Sequence, residues 1–320
     1  MKPKVYVTYK IPDKPLELLK ERCDVTVNEM DRLLTYEELR ENLKGMDGAI
    51  CMYSDRIDKD LIDYIEGIKV IANYAVGFNN VDFEYAASKG IKVTNTPGVL
   101  TDATAEHAFG LMLAAARRIA ESDRYTRAGK FKNWTTSLYV GQEVTGKTVG
   151  IIGGGKIGAS FAKKAKGFDM KILYTDMIQN KALEEEFGAV FTDMDTLLKE
   201  SDFITVHVPL TESTRHLIGI EQFKKMKKTA VFVNTSRGPV VDEKALAQAL
   251  REGYIWSAGI DVYENEPQVE PDLLKLENVV LTPHIGSATV DTRERMGMVA
   301  VKNVLAALNG EIPPNCINFK

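Results

Sequence analysis

The stretch from Lys147 to Asp176 constrains the fold more than any other part of this chain. An apolar run, Val149-Gly150-Ile151-Ile152, is short enough to be a buried parallel strand. Gly153, Gly155 and Gly158 follow in G-x-G-x-x-G spacing, with Lys156 and Ile157 between the last two. Helical spacing then puts Ile157, Phe161, Ala162 and Ala165 on one side and Lys163, Lys164 and Lys166 on another. A second apolar run, Ile172-Leu173-Tyr174, leads to Asp176, about 20 residues past the glycines, where a dinucleotide-binding βαβ unit carries its acid. Each part has a physical task. The first glycine permits the tight turn, the second lets backbone approach a pyrophosphate, and the third lets helix pack on strand. The helix N-terminus offers free N–H groups and the positive end of its dipole. Asp176 accepts hydrogen bonds from an adenosine ribose and repels a 2′-phosphate, so the expected cofactor is NAD.

The flanking sequence repeats the same arithmetic. Before residue 100, Val5-Tyr6-Val7, Val25-Thr26-Val27, Gly48-Ala49-Ile50-Cys51-Met52, Val70-Ile71-Ala72 and Ile91-Lys92-Val93 read as strands. Helices are predicted between them, one opening on the capping box Thr35-x-x-Glu38, others at about 59–66 and 82–89. After Asp176, strands are expected at Ala189–Phe191, Phe203–Val208, Ala230–Val233, Ser257–Ile260 and Val279–Leu281, with helices from Asp193, at about 220–227 and at 243–252. The class is α/β, with two doubly wound parallel-sheet domains. Residues 101–128 read as one long helix with Thr101 or Asp102 as N-cap, apolar on nearly every side from Ala108 to Ala116 and buried all round. The last helix, about 287–309, comes too late for the second sheet and is expected to return to the first domain. The boundaries are therefore 1–99 with 288–320 for one domain and 100–287 for the other.

Composition excludes several classes of function. At 320 residues, with 44% hydrophobic and 27% charged residues, the chain can bury two cores of ordinary globular type. A net charge of −4 gives no electrostatic basis for binding nucleic acid or an anionic membrane. Cys23, Cys51 and Cys316 are odd in number, widely spaced and without C-x-x-C, which suits reduced thiols and a cytoplasmic setting. The N-terminus lacks the apolar core of a signal peptide, and no apolar run is long enough to span a bilayer. With no H-x-x-x-H, H-E-x-x-H or G-x-S-x-G, neither a catalytic metal nor a serine nucleophile is expected.

In open α/β sheets, ligands bind beyond the carboxyl ends of the strands. Three consecutive strands end there in Asn234-Thr235-Ser236-Arg237-Gly238, in Asp261, and in Thr282-Pro283-His284, with Glu266 five residues after Asp261. They bring an arginine, an acid pair and a histidine to the crevice that receives the cofactor. Hydride transfer to a 2-keto acid needs a cation for the carboxylate, which the planar fork of Arg237 suits. It also needs a proton donor for the developing alkoxide, which suits His284. A carboxylate on the far ring nitrogen, Glu266, would fix the tautomer. Of the other histidines, His107 is read as a packed helix residue, His207 as bordering the adenine side, and His216 as a loop residue.

Four blocks carry a family likeness: Gly153–Gly158, Asn234-Thr-Ser-Arg-Gly-Pro-Val-Val-Asp-Glu243, Gly259-Ile-Asp-Val-Tyr-Glu-Asn-Glu-Pro267 and Leu281-Thr-Pro-His-Ile-Gly-Ser287. Together they resemble the signature blocks of the NAD-dependent D-isomer-specific 2-hydroxyacid dehydrogenases, over essentially the whole chain. The resemblance implies a Rossmann domain inserted in a discontinuous flavodoxin-like substrate domain; a homodimer is expected from the long helix, whose apolar 108–116 stretch would pack between domains and against another subunit. It implies catalytic Arg237, Glu266 and His284, and Asp261 on the nicotinamide carboxamide. Further cofactor contacts are implied from Gly153, Gly155, Lys156, Ile157, Gly158, Asp176, His207, Val208, Pro209, Thr214, Thr235 and Gly286. Val76 and Gly77 match the family loop whose N–H groups bind the substrate carboxylate, and Met52 and Tyr53, with Phe78, would line the side-chain pocket. Within the family, Ala49–Asp55 and Asn95–Glu106 are most similar to glyoxylate/hydroxypyruvate reductases. Two features depart from that subgroup: Asp176-Met177-Ile178 replaces an NADP-binding arginine, and Trp134-Thr135-Thr136 replaces a W-x-P element.

The leading expectation is NADH-dependent reduction of a small 2-keto acid to the D-hydroxy acid. Alternatives are the same mechanism on D-lactate, D-glycerate phosphate or phosphite, or a non-enzymatic NADH-binding relative of the corepressor kind. A three-domain phosphoglycerate dehydrogenase is not expected at this length.

Overall fold

A computed structural model describes residues 1–319. The chain divides into two compact units, Met1–Leu100 with Ala288–Lys320, and Thr101–Ser287. The first unit begins β1 (Lys4–Val7), α1 (Asp13–Arg22), β2 (Asp24–Val27), α2 (Tyr36–Leu43), β3 (Gly48–Cys51), α3 (Lys59–Tyr64), β4 (Val70–Asn73), α4 (Phe83–Ser88) and β5 (Lys92–Thr94). Its five strands lie in the order β2-β1-β3-β4-β5, all parallel. The expected capping box is present: Thr35 accepts from the Glu38 N–H, and Glu38 reaches back to the Thr35 N–H. Every residue of β3 and β4 is buried, as a central parallel strand covered on both faces requires.

The second unit runs α5 (Thr101–Ala116), α6 (Ile119–Arg127), β6 (Thr148–Ile152), α7 (Lys156–Lys166), β7 (Lys171–Thr175), α8 (Lys181–Phe187), β8 (Val190–Phe191), α9 (Met194–Glu200), β9 (Phe203–Val206), α10 (Ile220–Lys225), β10 (Val231–Asn234), α11 (Glu243–Arg251), β11 (Ser257–Ile260) and β12 (Val279–Leu281). Its seven strands lie in the order β12-β11-β10-β9-β6-β7-β8, again all parallel. The strand order reverses between β6 and β9, so the glycine turn after β6 opens at the switch point. The chain then returns to the first unit with α12 (Val290–Leu308), which packs on α1, β3 and β4. Asn303 on α12 is buried and donates to the Asn95 carbonyl at 3.2 Å.

The single helix expected over 101–128 is two. The returning segment takes the last carbonyl of α5, with the Gln142 N–H 2.8 Å from Ala116 O. Arg118 turns into the left-handed region at φ 54, pairs with Glu121 and stacks 4.7 Å above the Tyr139 ring. The expected N-cap is also displaced. Thr101 and Asp102 lie inside the helix, and Asp102 instead accepts from Ser160 Oγ on α7 at 2.5 Å. The apolar character of α5 reflects its packing against β10, β11, β12 and α7, and an added Cβ on Gly259 of β11 would lie 2.9 Å from Leu111 Cβ. Strand β9 stops at Val206, two residues short of the expected end, and β8 is a two-residue exposed edge. Among the described residues no helix is long and apolar enough to cross a membrane, and no group of three His, Cys, Asp or Glu could hold a metal ion.

Candidate active site

The glycine turn has the geometry its sequence requires. Gly153 leaves β6 at φ +101, a conformation open mainly to glycine, and an added Cβ would come within 2.8 Å of the His207 carbonyl. At Gly158 an added Cβ would lie 2.1 Å from Gly153 O, so helix α7 seats directly on the turn. Gly155 differs, because a Cβ there would meet nothing within 4 Å. Protein packing therefore does not demand glycine at that position. The Gly154 peptide is held at both ends: its N–H donates to Asp176 Oδ2 and its carbonyl accepts from Asn180 Nδ2, each at 2.7 Å. The second Asp176 oxygen accepts from the Met177 N–H at 2.6 Å. The carboxylate thus stands at the end of β7, fixed beside the glycine turn.

The ends of β10, β11 and β12 are tied into one cluster. Asn234 Oδ1 accepts from the Ser236 N–H and Oγ, and its Nδ2 donates to Arg237 O at 3.1 Å, which shapes the turn bearing Arg237. The guanidinium donates through Nη1 to Ser236 O at 2.6 Å. Gly238 then presses on the next loop, for an added Cβ would lie 1.9 Å from the Tyr263 carbonyl carbon. That contact sets the Arg237 turn against the segment carrying Glu266. Reciprocal bonds reinforce the same segment, with the Glu243 N–H donating to Glu264 and the Glu264 N–H to Glu243. Burial pushes the Glu243 carboxyl above the usual range.

His284 Nδ1 lies 2.8 Å from Glu266 Oε2, and Glu266 Oε1 accepts from the Tyr263 N–H at 3.0 Å. His284 itself is in the left-handed region at φ 54, a strained conformation for a residue of this type. It is held there by its own N–H, which donates to Asp261 O at 2.8 Å. Asp261 is the centre of this cluster. Buried to 1% exposure, it accepts from Thr282 Oγ1 at 2.7 Å and from the Ile285 and Gly286 N–H groups at 2.8 Å. His107 Nε2 stands 3.2 Å from the same carboxylate and 3.0 Å from Thr282 Oγ1. Burial opposes ionisation of Asp261, but these donors outweigh it and hold the carboxyl below its ordinary range.

A sequence description of the NAD-binding domain of the D-isomer-specific 2-hydroxyacid dehydrogenases matches residues 109–286. The glyoxylate reductase of Thermococcus litoralis is 48% identical over 322 residues, covering 99% of this chain and 97% of that one. The chain belongs to the D-isomer-specific 2-hydroxyacid dehydrogenases. A solved structure from Thermus thermophilus superposes with a TM-score of 0.92 at 42% identity, covering 98% of this chain and 99% of that chain. A Sinorhizobium meliloti NADPH-dependent glyoxylate/hydroxypyruvate reductase, solved with NADP and malonate, is 31% identical with a TM-score of 0.84 over 99% of this chain and 97% of that chain. This dehydrogenase is accordingly an oxidoreductase with a nicotinamide cofactor.

The dehydrogenase's own residues fit a dinucleotide. Besides the open face of Gly155 and the N-terminus of α7, the Thr235 hydroxyl is buried at the end of β10 and has no hydrogen-bond partner among the described residues. His207 lies just past β9, but its ring turns inward onto Phe161 and bonds Thr205 Oγ1 at 3.0 Å. The residue keeps some exposure, yet the dense surroundings of the ring push its pKa down to about 3, so it is neutral. Thr214 closes the 209–214 loop by donating to Pro209 O at 2.6 Å. His216, an exposed loop residue, pairs with Glu264 at 2.9 Å.

In the first unit, the strand ends bear Met52, Tyr53, Val76 and Gly77, all partly exposed. Asp55 caps the turn after β3, accepting from the Met52 N–H at 2.7 Å and from Thr8 Oγ1 at 2.5 Å. Asn80 Nδ2 bonds Asp55 O at 2.9 Å and Met52 O at 3.2 Å. Among the described residues the N–H groups of Val76 and Gly77 have no protein acceptor. Sequence reasoning missed Asn180 and the roles of Asn80 and Asn234, and read His107 only as a packed helix residue; Asn234, inside a recognised block, and Asn80, in the loop after Val76 and Gly77, carried a signal.

Proposed function

We propose that this dehydrogenase reduces a small 2-keto acid of the glyoxylate type to the D-2-hydroxy acid with NADH. The observation that carries the reading is the 2.8 Å contact between His284 Nδ1 and Glu266, at strand ends shared with Arg237. Glu266 fixes the ring so that Nε2 is the atom that hands a proton to the keto oxygen. Arg237 binds the substrate carboxylate and polarises the carbonyl, a task in which the developing alkoxide strengthens its hold. The N–H groups of Val76 and Gly77 take carboxylate oxygens, and Met52, Tyr53 and Phe78 close around the side chain. A bound nicotinamide supplies the hydride to C2. Membership of a D-isomer-specific family supports the D configuration.

For the cofactor we propose NAD over NADP, with Gly153, Gly155, Lys156, Ile157 and Gly158 at the pyrophosphate and Asp176 at the ribose. Asp176 offers its remaining lone pairs to the ribose hydroxyls and sets a negative charge where NADP carries its phosphate. Thr235, Asp261 and Gly286 are assigned to the nicotinamide end, and His207, Val208, Pro209 and Thr214 to the wall beside it. The contribution of His207 would come from its backbone, since its ring is buried.

The test is to incubate hydroxypyruvate with NADH and analyse the chirality of the glycerate formed. D-glycerate with stoichiometric NADH oxidation is expected. L-glycerate would contradict the assigned geometry, and tight NADH binding without any oxidation would return the chain to the corepressor-like reading.

A further inference from the structure

The geometry points to Asn95 and Asn73 as positioning residues for the carboxylate-binding loop, an inference that rests on the function proposed above. Three successive carbonyls of this loop are occupied. Ala75 O accepts from the Thr96 N–H at 2.9 Å, Val76 O from Asn95 Nδ2 at 2.8 Å, and Gly77 O from Asn73 Nδ2 at 2.7 Å. A trans peptide is planar with its N–H directed opposite to its carbonyl. Fixing those three oxygens therefore fixes the N–H groups of Val76, Gly77 and Phe78. Each points away from the ends of β4 and β5, where the three donors sit. None of these N–H groups has a protein acceptor among the described residues.

The two amides are themselves held. Asn73, the last residue of β4, is 1% exposed and also bonds Asn80, which ties this loop to the Met52–Asp55 turn. Asn95 is 8% exposed; its own carbonyl takes Asn303 Nδ2 from α12, and its N–H donates to Asn315 O. Asparagine is suited to this work because its NH₂ donates to a carbonyl while carrying no charge that would compete with Arg237 for an anion. The loop thus presents a row of backbone dipoles whose direction is set by buried side chains, an arrangement that binds anions without a cation.

The test compares glyoxylate with glyoxal, which offers the same aldehyde without a carboxylate. Asn95→Ala should raise the KM for glyoxylate and weaken oxamate binding to the enzyme–NADH complex by about 5–150-fold, the cost of one lost hydrogen bond to a part-buried carbonyl. The Kd for NADH, read by fluorescence, should stay the same, and kcat/KM for glyoxal should change little. Asn95→Asp supplies a second readout. Its carboxylate cannot donate to Val76 O, but the protonated acid can, so its glyoxylate KM should recover toward the parent value as pH falls. If Asn95→Ala does not fold, Asn73→Ser carries the same comparison at the Gly77 carbonyl. Equal losses on glyoxylate and glyoxal, or an unchanged glyoxylate KM, would overturn the inference. A parent enzyme that reduces no keto acid at all would instead sink the proposed function.

Discussion

The two parallel sheets end in different chemistry. Strands β10, β11 and β12 lead into ionisable side chains: Arg237, whose guanidinium donates to Ser236 O, and His284, which bonds Glu266 through Nδ1 and the Asp261 carbonyl through its N–H. Strands β4 and β5 finish in neutral amides, Asn73 and Asn95, and the groups presented are backbone N–H dipoles. The difference matches the two tasks proposed for them, proton transfer and carboxylate anchoring. Moving a proton requires a group that titrates and a partner that fixes it. Holding a carboxylate requires donors of set direction, and peptide N–H groups serve without a charge to desolvate.

The largest effect should come from the ionisable cluster. His284→Ala removes the proton donor and should lower kcat by about 10²–10⁴ while NADH affinity, measured by fluorescence titration, stays close to the parent's. Full activity in that variant would show that the cluster is structural. A smaller change is expected at Asp176. Replacement by Ser removes the charge facing a 2′-phosphate and should narrow the preference of kcat/KM for NADH over NADPH by about 5–150-fold. Equal use of both cofactors by the parent would contradict the role given to Asp176.

The smallest effect on turnover, and a sharp contrast between two histidines of the same unit, concerns His207. Its pKa is pushed down from 6.5 to about 3 by burial, so the folded state disfavours its proton while the unfolded chain accepts it. The stability this confers is complete above pH 6.5 and lost as pH falls toward 3, at up to about 1.4 kcal/mol per pH unit. Urea midpoints of His207→Gln should therefore fall less steeply than the parent's across that window, with kcat at neutral pH little altered. Parallel curves would mean that His207 already takes up its proton in the folded state.

Much of the second unit's fold was legible in the sequence because its candidate site residues are rare types at diagnostic positions. Glycine at Gly153 and Gly158 answers to backbone clashes, and Glu266 and His284 follow strand ends in recognisable blocks. What escaped notice depends on contacts distant in sequence. His107 reads as a packed helix residue, and only the fold brings it to Thr282 and Asp261. Asn73 leaves no pattern, and Asn95, although it opens a block that resembles the reductases, gives no sign of which carbonyl its amide takes, since such an amide can sit at any strand end. The break after α5 was hidden for a related reason: Gln142, which takes the Ala116 carbonyl, lies far beyond the helix in sequence. Composition and periodicity could read charge and burial, but not which carbonyl a returning loop would take.

One substrate series decides whether this enzyme reduces a small keto group beside an anchored carboxylate, as proposed. Steady-state kcat/KM with NADH should be measured for glyoxylate, hydroxypyruvate, pyruvate, 2-ketoisocaproate and phenylpyruvate. If Met52, Tyr53 and Phe78 close the side-chain pocket as proposed, with Phe78 packed edge-on against Phe83 at 5.2 Å, hydrogen and hydroxymethyl should be the groups that fit. Each methylene that does not fit costs roughly 1–3 kcal/mol, or about 10–200-fold. Glyoxylate and hydroxypyruvate should lead the series, and the two bulky acids should trail by at least one such factor. Preference for 2-ketoisocaproate or phenylpyruvate would contradict the account.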